Sequence, residues 1–145
     1  MITHFRHTGI VVADLEASLQ FYVDTLGFSV TKRMEETGAH LDRVLALEGV
    51  QVTTVKMAAP DGFLIELLYY QSHQQSVEQR ELCTVGIGHI ALQVDDIEAV
   101  YAKLMGAGVH FNAEPQTSPD GYAKLTFCQA PEGTFIELVQ VLGGS

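Results

Sequence analysis

The chain has 145 residues and carries 18 Asp and Glu against 8 Lys and Arg, which gives a formal net charge of -10. This length is typical of one compact domain. With 47% hydrophobic residues, the chain can form a stable core without disulfide bonds or structural metal ions. The negative charge argues against nucleic acid and anionic membrane as partners, because both favour proteins with a basic face. Any anionic substrate must find a local cationic pocket.

No apolar run near the N-terminus has the length of a signal peptide, and no later stretch approaches the length of a membrane span. We therefore expect a cytoplasmic protein. Cys83 and Cys128 lie far apart and form no CxxC pair, so we expect reduced thiols rather than a disulfide.

The first half of the chain is predicted to form a strand, a helix and further strands. Residues 5–12 are β-branched and apolar, which predicts a strand. Asp14 is a candidate N-cap for a helix with apolar residues at helical spacing, and Gly27 suits its end. Residues 60–62 read Pro-Asp-Gly and predict a tight turn. Apolar runs predict strands at residues 44–47, 50–57 and 63–70.

The second half repeats this pattern after a polar connector at residues 71–84. Residues 88–94 predict a strand, and Asp96 caps a helix that ends near Gly106 or Gly108. Residues 131–133 read Pro-Glu-Gly and predict a second tight turn. The remaining apolar runs predict strands at residues 123–128 and 134–141.

Two pairs of segments match in register and in the same order. HTGIVVADLEA from His7 aligns to HIALQVDDIEA from His89, and APDGFLIELL from Ala59 aligns to APEGTFIELV from Ala130. Matched pairs in one order imply an internal duplication. Module one then covers about residues 4–70 and module two about residues 86–142, within a single domain of residues 1–145. We expect an α+β fold in which two paired βαβββ modules form a curved mixed sheet around a central cleft.

The duplication places one histidine and one glutamate at equivalent positions of each module. Side chains alternate along a strand, so each histidine shares a face with the residues two positions away on its own strand, and both faces look largely interior. Glu66 and Glu137 lie among apolar neighbours on their strands. A carboxylate on such a face needs a cation, a donor or solvent. Two imidazoles and two carboxylates suit a divalent ion and cancel its charge. We predict one metal site from these four residues; the alternative is that the duplication copied residues that matter only for folding.

Three motifs resemble the vicinal oxygen chelate superfamily over nearly the whole chain. They are the H-x-x-x-x-V-x-D-[LI]-E-A openings at His7 and His89, the F-Y-x-x-x-L-G-F run from Phe21 to Phe28, and the P-[DE]-G-x-x-I-E-L closings. This superfamily includes glyoxalase I, methylmalonyl-CoA epimerase, extradiol dioxygenases, fosfomycin-resistance thiol transferases and bleomycin-binding proteins. The resemblance implies one divalent metal ion (nickel, zinc or cobalt), a small-molecule substrate and a homodimer. Its metal ligands would be His7, Glu66, His89 and Glu137.

The glutamate at position 66 favours the glyoxalase I pattern. The dioxygenases and fosfomycin enzymes resemble a three-ligand scheme without this carboxylate, and the epimerases usually have Gln there. The resemblance therefore implies a lyase or isomerase similar to lactoylglutathione lyase, which acts through an enediolate on a 2-oxo substrate or its thiol adduct. Glu137 or Glu66 would be the catalytic base. Asp24 stands where glutathione-using members tend to have a basic residue, so the identity of the thiol stays open.

Three alternatives are an isomerase similar to methylmalonyl-CoA epimerase, a metal-independent small-molecule binding or resistance protein, and an iron-dependent oxygenase. Four further cations are interpreted as exposed, solubilising residues, with the alternative that one or two of them face the cleft and contact substrate: Arg33, Arg43, Lys56 and Lys124. Four histidines have no partner in the repeat and are given no role: His4, His40, His73 and His110.

Overall fold

The structure is a computed structural model that describes residues 1–143. The chain divides into two compact units, one from Met1 to Val77 and one that begins at Glu78. Each unit contains a four-stranded mixed sheet and one helical segment between its first two strands. The fold is therefore α+β, with the same module occurring twice.

The elements of module one are β1 (Thr8–Val11), α1 (Leu15–Leu19), β2 (Ser29–Thr37), α2 (Ala39–Leu45), β3 (Gln51–Ala58) and β4 (Leu64–Tyr70). The helix α1 continues into a π-helical segment, Gln20–Thr25. The strands form a sheet with the order β1-β4-β3-β2. The pair β1–β4 is parallel, and the other two pairs are antiparallel.

Module two has the equivalent strand order, β5-β8-β7-β6. Its first and last strands are again parallel neighbours, and β8 pairs antiparallel with β7. The elements are β5 (Ile90–Gln93), α3 (Ile97–Gly106), β6 (Gln116–Thr117), β7 (Ala123–Gln129) and β8 (Phe135–Val141).

The helix and turn predictions from the repeat are confirmed. Asp14 and Asp96 cap their helices, and each accepts a hydrogen bond from the backbone N–H three residues later, at 3.1 Å and 3.0 Å. Gly62 and Gly133 close the two tight turns with φ of 89° and 95°, in the left-handed region that glycine tolerates. These turns set the register of the hairpins that carry both glutamates.

Two predictions for module one are wrong. Residues 44–47 do not form a strand, because α2 extends to Leu45 and Ala46 ends it in the left-handed conformation. The strand β2 was not predicted. It is an edge strand with charged, mostly exposed side chains, so it lacks the apolar alternation by which a strand is recognised.

The core of each module lies on one face of its sheet. Ile65 and Leu67 on β4 are fully buried, as are Ile136 and Leu138 on β8. Because side chains alternate, the residues between them project from the opposite face. Each sheet therefore has a core face and a second face, which bears the glutamates.

No helix among residues 1–143 is long and apolar enough to cross a membrane.

Candidate functional site

In module one, the parallel pairing of β1 and β4 brings His7 and Glu66 together. Glu66 is in register with Gly9, and His7 precedes Gly9 by two residues, so both side chains project from the same face. The Nε2 atom of His7 lies 3.7 Å from Oε1 of Glu66. Two of the four predicted ligands thus lie together within this module.

In module two, the pairing of β5 and β8 produces the same arrangement. Glu137 is in register with Ala91, and His89 precedes Ala91 by two residues. The Nε2 atom of His89 lies 3.1 Å from Oε2 of Glu137. Each module therefore presents one imidazole–carboxylate pair.

The faces that carry the pairs are more open than the apolar sequence suggests. Phe5 and Val11, which are expected to share a face with His7, are 75% and 62% exposed. The expectation of a largely interior face is wrong here, because β1 buries Ile10 on its other side. The glutamates are better shielded, at 13% for Glu66 and 19% for Glu137. Each pair therefore combines a shielded carboxylate with a more accessible imidazole.

Lys56 contacts Glu66 from the neighbouring strand, a contact missing from the sequence prediction. The two residues are in register on β3 and β4, and Nζ of Lys56 lies 3.8 Å from Oε2 of Glu66. The two oxygens of Glu66 thus face different groups, Oε1 towards His7 and Oε2 towards Lys56. Lys56 is only partly exposed, so its interpretation as a solubilising cation is wrong.

A sequence signal for Lys56 existed in the predicted turn. Lys56 stands five residues before Asp61 and Glu66 stands five residues after it. Residues equally distant from the centre of a hairpin turn pair across it. Lys124 is likewise only partly exposed and pairs with Glu98, so the same interpretation is wrong for it. Arg33, which lies 3.9 Å from Glu35, and Arg43 are exposed, as the interpretation expects.

Module two has Phe127 at the position equivalent to Lys56. Phe127 is in register with Glu137, and its ring meets the imidazole of His89 edge to face, with centroids 5.1 Å apart. An edge-to-face contact of this kind restricts the orientation of both rings. The two modules therefore support their pairs differently, one with an ammonium group and one with an aromatic ring.

The geometry of the pair in module two fits two ligands of one metal ion, and the pair in module one comes close to it. Two ligands bound at about 2.1 Å, at angles of about 90–120°, have donor atoms about 3.0–3.6 Å apart. The pair in module two, at 3.1 Å, falls in this range, and the pair in module one, at 3.7 Å, lies just above it. Neutral imidazole and carboxylate also suit nickel, zinc and cobalt. Lys56 faces the oxygen of Glu66 that is turned away from His7, so it leaves the other oxygen free for an ion.

Within residues 1–143, no group of three or more His, Cys, Asp or Glu side chains is close enough to hold a metal ion. What each module shows by itself is one His–Glu pair. The sharing of one ion by both pairs stays a prediction.

Comparisons with known proteins agree with the resemblance seen in the sequence. A family model of the Glyoxalase/Bleomycin resistance protein/Dioxygenase superfamily matches residues 4–138. A probable lactoylglutathione lyase of Synechocystis is 32% identical over 92% of this chain and 92% of its own.

Two solved structures are similar over nearly the full chain. The glyoxalase family protein of Bacillus cereus superposes with a TM-score of 0.89 at 23% identity, covering 99% of this chain and 97% of its own. The trypanothione-dependent glyoxalase I of Leishmania major gives a TM-score of 0.69 at 25% identity, covering 96% of this chain and 87% of its own. The extent of the family match and the repeated sheet arrangement lead to one conclusion: the chain belongs to the Glyoxalase/Bleomycin resistance protein/Dioxygenase superfamily.

Proposed function

We propose that this protein is a metal-dependent, glyoxalase-like lyase or isomerase that acts on a small 2-oxo substrate or its thiol adduct. The observation that carries the proposal is the His–Glu pair in each module, with donor atoms 3.7 Å and 3.1 Å apart. A single pair of this kind is common on protein surfaces, but two at equivalent places of a duplicated module point to a shared role. The relatives named as probable lactoylglutathione lyases support the same activity.

The proposed metal ligands are His7, Glu66, His89 and Glu137, which hold one divalent ion of nickel, zinc or cobalt. When bound, such an ion supplies Lewis-acid stabilisation of the negative charge that develops on substrate oxygens during proton removal. The two carboxylates balance the charge of the ion, and the accessible imidazole edges leave room for a ligand.

The proposed reaction moves one proton between adjacent carbons. In the adduct of a 2-oxo aldehyde with a thiol, a base removes the proton from the carbon that bears sulfur and hydroxyl. The proton is then delivered to the neighbouring carbon, while the hydroxyl proton passes to the former carbonyl oxygen. The product is a 2-hydroxy thioester with the same atoms as the substrate. No oxidant or reductant is required.

We propose Glu137 as this base and Glu66 as the more firmly held ligand. One oxygen of Glu66 faces the ammonium group of Lys56, which holds that carboxylate in place. The place equivalent to Lys56 in module two is occupied by Phe127, which offers Glu137 no charge partner. Glu137 is therefore freer to move between the ion and a substrate carbon.

The experiment that tests the proposal combines metal content with turnover. Protein purified without a His tag is loaded with nickel, cobalt or zinc, freed of excess ion and assayed for thioester formation from methylglyoxal and a thiol. We expect about one ion per pair of modules. His7→Ala and His89→Ala are expected to bind the ion more weakly and to lose activity, whereas the control His40→Ala, on α2, changes neither.

Three outcomes would contradict the proposal. Protein that takes up no ion after loading would be a metal-independent binding protein. Loaded protein that consumes oxygen with substrate and ferrous ion would be an oxygenase. Loaded protein that turns over no thiol adduct but exchanges the proton beside the carbonyl of an acyl-CoA would be an epimerase.

We also propose a homodimer, and mixing two inactive variants identifies which chains supply each site. Chains with His7→Ala and chains with His89→Ala are unfolded together, refolded and assayed. If the pairs of one site come from different chains, random assortment restores about a quarter of the sites. If they come from one chain, no activity returns.

A further inference from the structure

Module one has a cavity of about 490 Å³ beside its His–Glu pair. Residues 3–7 of the N-terminal segment line it together with Lys56 and Leu64. The described residues that line it include Arg6 and Lys56 but no acidic side chain. In a chain with 8 basic and 18 acidic residues, two cations at one cavity without a lining carboxylate form a local exception to the overall charge.

Neither cation forms a short ion pair with an acidic residue in the range 1–143. Nζ of Lys56 lies 3.8 Å from Glu66, beyond the distance of about 2.7–2.9 Å for a charge-assisted hydrogen bond. Arg6 is exposed and forms no ion pair with another residue in the range 1–143. Arg6, Lys56 and Glu66 together leave one net positive charge, which suits an anion.

The fold does not require a lysine at position 56. The equivalent residue of the second module is Phe127, which occupies the same register beside its glutamate. A partly buried lysine costs desolvation that an aromatic residue avoids. Its presence in module one alone therefore indicates a role beyond the fold, towards Glu66 and towards a ligand at the cavity that it lines.

The location of the cavity indicates which part of a ligand it receives. His7, a proposed metal ligand, lines the same cavity as Arg6 and Lys56. A group bound between the two cations is thus only a few atoms away from a carbonyl bound at the pair. The cavity therefore suits a substrate whose anionic group lies close to the reacting carbons.

We propose that Arg6 and Lys56 form an anion subsite that binds a carboxylate or phosphate of the substrate. This inference rests on the proposed function for the identity of the substrate, but not for the binding of the anion. The substrate class is then a 2-oxo compound whose thiol adduct carries negative charge near the reacting carbons, and neutral adducts are poorer substrates.

The kinetic test compares adducts of methylglyoxal with three thiols: neutral 2-mercaptoethanol, the carboxylate 3-mercaptopropionate and the phosphate ester 2-mercaptoethyl phosphate. We expect Lys56→Met and Arg6→Gln to lower kcat/KM for a charged adduct by about 10-fold or more, mainly through KM. For the neutral adduct, Arg6→Gln should change kcat/KM less than about 2-fold. Lys56→Met should lower kcat/KM less for the neutral adduct than for the charged adducts, because Lys56 also contacts Glu66. Arg43→Gln removes the same charge from α2 and should change none of the three. The charged adduct that loses more identifies the anion as carboxylate or phosphate.

An equal loss for neutral and charged adducts would overturn the subsite, since Lys56 would then act through Glu66 alone. No loss in either variant would overturn it as well.

A second measurement separates this inference from the proposed function. Inorganic phosphate and acetate are titrated into the chelator-treated protein, and the NMR shifts of the backbone amides of residues 3–7 and Lys56 are followed. Saturable shifts that disappear in Lys56→Met and persist in Arg43→Gln support the subsite even if no thiol adduct is turned over. Shifts that are absent, or unchanged in Lys56→Met, overturn it even if the enzyme is active.

Discussion

The ring of Phe127 meets the imidazole of His89 edge to face, with centroids 5.1 Å apart and planes at 88°. Phe127 is also in register with Glu137, so one aromatic side chain neighbours both members of the pair in module two. The equivalent place in module one holds Lys56, which contacts Glu66 instead. The two modules thus share the His–Glu pair but differ in the residue that contacts it from the neighbouring strand.

Removing the ring of Phe127 should weaken metal binding by His89 and Glu137. Phe127→Leu keeps an apolar side chain on β7 but removes the ring that orients His89. Because groups that orient a metal ligand contribute to affinity, we expect the dissociation constant for nickel or cobalt to rise by up to about 10-fold. Isothermal titration calorimetry measures this constant. Phe111→Leu alters an aromatic residue that packs on Tyr101 instead, and it serves as the control. Equal affinities of Phe127→Leu and wild type would show that the ring does not orient His89.

The two glutamates should respond differently to amide substitution. Glu137→Gln removes the proposed base, so kcat should fall by at least about 100-fold. Glu66→Gln removes a ligand, so metal affinity should fall by at least about 10-fold. Glu48→Gln, on the exposed loop after α2, should change neither quantity. A Glu66→Gln protein with full metal affinity and full turnover would refute the assignment of Glu66.

The carboxylate of Asp42 should make stability depend on pH at the acid end. Backbone N–H groups of Val50 and Gly49 donate to it at 2.9 Å and 3.0 Å, and these bonds lower the pKa of Asp42 below its ordinary value. The stability that they contribute is present above the unfolded pKa of about 3.9 and is lost as the pH falls through the folded value. Asp42→Asn should therefore lower the free energy of unfolding at neutral pH and weaken its decrease below about pH 4.

Urea unfolding between pH 2 and pH 7 measures both effects, in steps of about one pH unit. Asp24→Asn, on the exposed side of the π-helical segment, is the control. A pH profile of Asp42→Asn that parallels the wild-type profile would show that the two backbone hydrogen bonds do not couple to protonation.

The two cysteines should differ sharply in reactivity. Cys83 is exposed, whereas Cys128 on β7 is 1% exposed and burial raises the pKa of its thiol to about 12. Since the thiolate is the nucleophile, iodoacetamide at about pH 8 should modify one thiol per native chain. Mass spectrometry should place the label on Cys83, and Cys83→Ser should remain unlabelled until it is unfolded. Rapid labelling of Cys128 in the native protein would contradict its burial.

The parts of the fold that the sequence predicts are those that occur twice. Asp14 and Asp96 cap helices through their own side chains, and this local chemistry is readable from residue type. The strand Ser29–Thr37 could not be recognised, because an edge strand with charged side chains has no apolar period. Residues 44–47 are all apolar, yet the hydrogen bonds between Asp42 and the backbone of Gly49 and Val50 close the chain around the short helix α2.

For the candidate site, too, the features that occur in both modules are the ones that the sequence indicates. Strand alternation and duplication single out His7, Glu66, His89 and Glu137 as candidates. Within each module the structure brings one histidine and one glutamate together, while the convergence of all four stays a prediction. Predicting the contact between Lys56 and Glu66 required the register of the β3–β4 hairpin. This register depends on the turn at Asp61 as well as on the residue types. The cavity lined by Arg6 depends on the course of an N-terminal segment without secondary structure, for which no periodic signal exists.

The central claim is that two imidazoles and two carboxylates bind one ion, and X-ray absorption spectroscopy of the cobalt-loaded protein tests it most directly. We predict a first shell of nitrogen and oxygen at about 2.1 Å, with outer-shell scattering from two imidazole rings. That scattering should fall to one ring in His7→Ala and in His89→Ala, if these variants retain the ion, and stay at two in His40→Ala. A sulfur shell, a spectrum without imidazole scattering, or spectra unchanged by both His7→Ala and His89→Ala would contradict the claim.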